Sequence, residues 1–139
     1  MREILYRGKH THTNEFKYGY LFYSKKNNSY TLGDGFTNYF VVPETIGQYT
    51  GLIDSKGTKI FEGDILKLKQ PKDEMEYIAR VVFGNPNGNY TFGWQLVFKE
   101  PFNLNTDILC WVGMECCGVA SEVIGNIHDN PELLEVQND

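Results

Sequence analysis

Residues 48–69 constrain the fold more than any other segment, because their turn residues recur at intervals that only short, sharply reversed strands can use. Residues 48–53 read as a strand, and Asp54-Ser55-Lys56-Gly57 as the turn that ends it. An aspartate opens a turn by accepting downstream backbone N–H groups, and a glycine supplies the positive φ that completes it. Residues 58–61 then read as the returning strand, Glu62-Gly63-Asp64 as a second corner and residues 65–69 as a third strand. In that third strand Leu66 and Leu68 alternate with Lys67 and Lys69, the period-two pattern of one buried and one wet face. Three strands joined so economically predict a small, strongly bent barrel of the SH3-like kind.

The rest of the chain adds strands. Residues 16–23 are almost all aromatic or apolar with no helical period, so they read as a strand. Residues 30–32 and 36–42 flank the turn Gly33-Asp34-Gly35, and Pro43 ends the run because it cannot donate to a ladder. Residues 78–83 and 90–98 flank Asn87-Gly88, a strong hairpin signal. A first strand is expected at residues 4–6, a further one at 108–114 and a last one at 123–127, with 8–14 and 101–106 as loops. Asn130, Pro131 and Glu132 suit the N-cap and first turn of a short helical turn whose Leu133 and Leu134 would dock on the barrel. The expected fold is mainly β: an SH3-like small barrel with an additional β-rich N-terminal part and a short C-terminal helical turn. The expected division is a β-rich segment at 1–45 and the barrel, with its hairpin insertion, at 46–139; one integrated domain is the alternative.

Composition fits that reading. The chain has 139 residues, of which 41% are hydrophobic, enough for a packed core, and the 14% of aromatics favours sheets. No apolar run approaches the ~20 residues that span a bilayer, so no membrane partner is expected. The charged N-terminus lacks the apolar stretch of a secretory signal. The three cysteines, Cys110, Cys116 and Cys117, are odd in number and two are vicinal, which points to reduced thiols and a cytoplasmic protein. Residues 1–72 carry 11 Lys and Arg against 7 Asp and Glu, whereas residues 73–139 carry 2 against 11. A basic surface wide enough for general nucleic-acid binding is therefore not expected.

Ile46-Gly47-Gln48-Tyr49-Thr50-Gly51-Leu52, with Asp54, Gly57, Ile60 and Glu62-Gly63-Asp64-Ile65, resembles the central motif of the YopX family of phage and prophage proteins. Val123-Ile124-Gly125-Asn126-Ile127 followed by Asn130-Pro131-Glu132-Leu133-Leu134 is similar to that family's C-terminal signature, and Met1-Arg2-Glu3-Ile4 with Tyr6-Arg7 to its opening. The resemblance implies an SH3-type barrel with a further β-rich part and a phage or prophage origin; it implies no activity. The hairpin over 85–98 and the pair Cys116-Cys117 depart from the family pattern. Turn chemistry alone accounts for the matched glycines and aspartates, and core packing for the apolar residues.

The residues with chemical potential do not assemble into a catalytic pattern. His10 and His12 offer two ligands where zinc takes three or four, and Cys110, Cys116, Cys117 and His128 form no C-x-x-C pair. Glu115 beside Cys116 disfavours a thiolate. Glu62 and Asp64 share a tight turn, where carboxylates bind backbone N–H groups rather than move protons. No phosphate-cradling glycine loop precedes a helix pattern. Lys56, Lys59, Lys67 and Lys69 lie along the central ribbon, with Tyr49 and Phe61 nearby, and form a candidate nucleic-acid face. A solvated outer face over core aromatics is the plainer reading. The expectation is a non-enzymatic binding or scaffold protein without metal or cofactor. Its partners would be a phage or host protein and further copies of itself; a nucleic-acid-binding accessory role is the alternative.

Overall fold

The computed structural model describes residues 5–71, 75–84, 93–99, 105–112 and 118–135. Its eleven strands are β1 (Tyr6–Lys9), β2 (Phe16–Ser24), β3 (Ser29–Gly33), β4 (Asn38–Val41), β5 (Gly47–Ile53), β6 (Lys59–Phe61), β7 (Asp64–Lys69), β8 (Glu76–Gly84), β9 (Gly93–Phe98), β10 (Asn105–Asp107) and β11 (Ala120–Asn126). The chain is mainly β, and all its strand pairs are antiparallel. Two compact units divide it, Met1–Gly51 and Leu52–Asp139.

The first unit is built on the order β4-β3-β2-β1-β5. Tyr23, Tyr30 and Val41 lie abreast, as do Leu21, Leu32 and Tyr39. Leu32 and Val41 on that face are buried. The opposite face carries Tyr18, Tyr20 and Phe22 of β2, Thr31 of β3 and Phe40 of β4. Val41 also meets His10 in an isolated bridge, and Thr11 N–H donates to the Phe40 carbonyl at 3.0 Å. These contacts curl the end of the sheet back toward β1. The boundary between the units falls inside β5, which carries β6 on its other edge.

The second unit holds a five-stranded sheet of order β10-β9-β8-β7-β11. The alternation read in β7 is present: Leu66 and Leu68 are fully buried, Lys67 is half-buried and Lys69 exposed. Leu66 and Leu68 pack with Ile60, Ala79, Val81, Leu96 and Phe98, and Ile108 and Val112 complete the core. Tyr77 and Trp111 border it, edge to face at 5.4 Å. The β8–β9 ladder runs to Gly84 opposite Gly93, so these strands form the expected hairpin. Its Asn87-Gly88 tip lies outside the described residues, as do Cys116 and Cys117.

Four expectations need correction. Among the described residues neither sheet closes into a barrel: the first ends in β4 and β6 and the second in β10 and β11. Closure needs a consistent stagger around every strand, and β10 is only three residues long before the chain leaves the sheet. Residues 108–110 are a 3-10 turn rather than a strand, because the Asp107 carboxylate accepts Leu109 N–H at 2.9 Å and turns the chain. The short strand β10 precedes it, where a loop was expected. The C-terminal turn, Pro131–Leu134, is 3-10 rather than α, and Asn130 does not cap it through its side chain.

Candidate functional site

Three of the four ribbon lysines come together. Lys67 on β7 lies opposite Glu122 of β11 and Ile78 of β8, and Lys69 opposite Ala120 and Glu76. Lys56 reaches the same surface from the β5–β6 turn. Lys56 Nζ lies 3.0 Å from Glu122 Oε1, and Lys67 Nζ lies 3.8 Å from Glu76 Oε1. With Ser55, Ala120 and Ser121 these side chains line an open hollow of about 230 Å³. Lys59, exposed on β6, does not line it. Tyr49 and Phe61 are 9% and 3% exposed, so neither offers a ring face for stacking.

Charge defines what the hollow can do. Two carboxylates stand among three ammonium groups, each paired with a lysine. An incoming phosphate would meet those carboxylates as well as the lysines, which weakens the counterion-release term that drives backbone binding. Exposed ion pairs of this kind contribute ~0–1 kcal/mol each.

The turn that brings Lys56 there is tightly built. Asp54 is buried, and its Oδ1 accepts Lys56 N–H at 2.9 Å and Thr58 N–H at 2.8 Å. Its Oδ2 accepts Val123 N–H of β11 at 2.9 Å. Ser55 Oγ accepts Ser121 N–H at 2.8 Å, and Ser55 N–H donates to the Ser121 carbonyl at 3.0 Å. Gly57 closes the turn at φ 86° and Gly63 the next corner at φ 90°, a region that side-chain-bearing residues disfavour. Asp64 is buried and accepts Phe61 N–H at 2.8 Å. Gly63 donates to the Val81 carbonyl and accepts Ile127 N–H, tying the corner to β8 and to the residue after β11.

The C-terminal motif is spent on backbone in the same way. Asn126 Oδ1 accepts His128 and Asp129 N–H at 3.0 and 2.9 Å, and Asn130 Oδ1 accepts Asn126 N–H at 3.3 Å. Among the described residues, no group of three or more His, Cys, Asp or Glu side chains could hold a metal. His10 Nδ1 lies 3.1 Å from Thr13 Oγ1, and its ring packs edge-on against His12 and Tyr39. Cys110 is an exposed free thiol. No helix among the described residues is long and apolar enough to cross a membrane.

A second candidate surface escaped the reading of individual motifs. Tyr18, Tyr20 and Phe22, on one face of β2, are 52%, 61% and 42% exposed, and Phe40 of β4 is 50% exposed. Phe36, in the β3–β4 turn, is 98% exposed. Asp34 Oδ1 holds that turn by accepting Phe36 and Thr37 N–H, both at 2.8 Å. These bonds, Thr37 first and then Phe36, lower the Asp34 pKa below its ordinary value. The period-two signal was present in the sequence, but Leu21 and Tyr23 on the other face are also apolar or aromatic, and Tyr23 is itself 53% exposed, so residue type did not mark one side as wet.

Comparisons with known proteins place the chain. No curated protein matches it significantly. Among solved structures, protein EF1440 from Enterococcus faecalis is similar over 97% of this chain and 100% of its own, with 25% identity and a TM-score of 0.53. The family described as YopX protein matches residues 5–135, which takes in the corner, turn and C-terminal residues whose hydrogen bonds build the second unit. The chain belongs to the YopX family.

Proposed function

We propose that this protein is a non-enzymatic binding or scaffold module of phage or prophage origin, acting in the host cytosol. The observation that carries the reading is the exposed aromatic surface of the first unit, where Tyr20, Phe22, Phe36 and Phe40 are each at least 42% exposed. Large apolar side chains held outward on ordered strands mark interaction surfaces. The saturated turns support the same view: Asp54 and Asp64 direct their carboxylates to backbone N–H groups that fix the chain path. The second unit is then an open variant on the SH3-like plan. Cytosolic action agrees with the free Cys110 thiol. The test is affinity capture from lysogenic host lysate with wild-type chain and with a Phe22→Ala/Phe40→Ala variant. Partners, including untagged copies of the chain, recovered by the first and lost by the second support the reading. Identical recovery by both overturns it.

A second reading, a nucleic-acid accessory role, draws on the grouping of Lys56, Lys67 and Lys69 around one hollow. Its test is binding of a single-stranded oligonucleotide at low salt by the full chain. A steep loss of affinity with added salt supports it, and no binding at low salt ends it.

A further inference from the structure

The aromatic surface of the first unit has a composition that selects its occupant. Across β2, β3 and β4 the cross-strand neighbours on this face are Phe22, Thr31 and Phe40 in one row and Tyr20, Gly33 and Asn38 in the next. None of the six carries a charge. Arg7 and Lys9, the cations of neighbouring β1 on the same face, are only 6% and 5% exposed. Each lies over the Phe16 ring, at 4.4 and 4.5 Å from its centroid. A nucleic-acid strand stacked on the exposed rings would have no exposed cation among those six residues to neutralise its phosphates. An uncharged aromatic face is instead complementary to another uncharged aromatic face.

The same chain supplies one. A two-fold interface brings a patch against its own copy, so self-complementarity is the only requirement on composition. The charge distribution favours contact through this unit. Met1–Gly51 carries 6 Lys and Arg against 4 Asp and Glu, whereas Leu52–Asp139 carries 7 against 14. Two first units approach with little repulsion; two second units would not. The available area is also of the right order. A Phe or Tyr buries roughly 150–250 Å² when fully covered. The exposed fractions of Tyr18, Tyr20, Phe22 and Phe40 amount to about two whole side chains, on the order of 400 Å² per copy from these rings alone. A standard interface takes about 800 Å² from each partner.

We propose that this protein forms a two-fold homodimer in which the β2–β4 face of one copy packs on the same face of a second. The inference rests on the reading of this face as a binding surface and names the partner.

The test is the mass of the untagged full chain by sedimentation equilibrium over a wide concentration range. Twice 16.0 kDa at high concentration is expected. Tyr20→Lys and, separately, Phe40→Lys put a cation at an exposed position of the face, and each should weaken association about tenfold or more. Circular dichroism melts show that each variant is folded, and Phe22→Gln serves where a lysine variant is not. Lys67→Ala, in the hollow of the other unit, should leave the mass unchanged. A 16.0 kDa species at every concentration overturns the dimer, as does a dimer that persists in folded Tyr20→Lys and Phe40→Lys chains. A monomer that still captures a different protein through Phe22 and Phe40 refutes the dimer while leaving the binding-module reading standing.

Discussion

Asp54 fixes two stretches of chain with one carboxylate, the β5–β6 turn through Lys56 and Thr58 N–H and β11 through Val123 N–H. Removing a buried acceptor leaves its donors unsatisfied at about 1–3 kcal/mol each. Asp54→Ala should therefore lower the stability of the chain by roughly 3 kcal/mol or more. Urea denaturation measures this, and a midpoint equal to that of wild type would refute it. Asp34 makes the contrasting case on the surface. Its carboxyl pKa is lowered in the folded chain, so the ionised form is favoured there. Its contribution is present above the unfolded carboxylate pKa and fades as pH falls through the lower folded value. The carboxyl carbon of Asp34 should titrate with a midpoint below 3.8 by nuclear magnetic resonance, and Thr37→Pro, which removes the largest cause, should raise that midpoint. Both aspartates were legible in the sequence as turn formers, because the chemistry that starts a turn is local. That Asp54 also holds Val123 was not legible, because the bond joins residues 69 positions apart.

Elements show where local signals were overruled. Asn130-Pro131-Glu132 carries the composition of a helix start, yet the Asn130 side chain bonds back to Asn126 N–H and the following turn is 3-10. The cause lies at the end of β11. The register of β11 on β7 shifts between Val123 and Gly125, and a methyl group at Gly125 would lie 2.5 Å from Asn130 Oδ1. Gly125 is thus the space that Asn130 occupies. Gly125→Ala should destabilise the chain by about 1–3 kcal/mol through overpacking. Its cost should be smaller in an Asn130→Ala background, since the displaced amide is then absent. A double-mutant cycle on thermal or urea unfolding measures the coupling, and strict additivity would show that the two positions do not share this contact. Over its described residues, 108–112, the strand expected at 108–114 is replaced by a turn for a related reason: hydrophobicity is the same in a strand and in a core-facing turn, and the Asp107 side chain distinguishes them.

At the scale of the whole molecule, the apolar core is unevenly shared. The cluster of Ile60, Leu66, Leu68, Ala79, Val81, Leu96, Phe98, Ile108 and Val112 lies wholly within Leu52–Asp139. Among the described residues of Met1–Gly51, the buried apolar side chains are Leu32, Val41 and Tyr49. Buried apolar surface is what offsets the entropic cost of ordering a chain. A unit of 51 residues with so small a core cannot offset that cost alone, and domains of this size are marginal even with better cores. The second unit, with 88 residues and a contiguous core, can. Residues 46–139, which keep all of β5, should unfold in a single cooperative transition when expressed alone. Residues 1–51 should give a circular dichroism spectrum without sheet and no thermal transition. A cooperative melt from the shorter fragment would show that its aromatics supply a core in place of the missing aliphatic residues. If the shorter fragment gains sheet only as its concentration rises, association of copies is providing the burial that the monomer lacks. That outcome would place the cost of folding the first unit and the use of its aromatic face in one equilibrium.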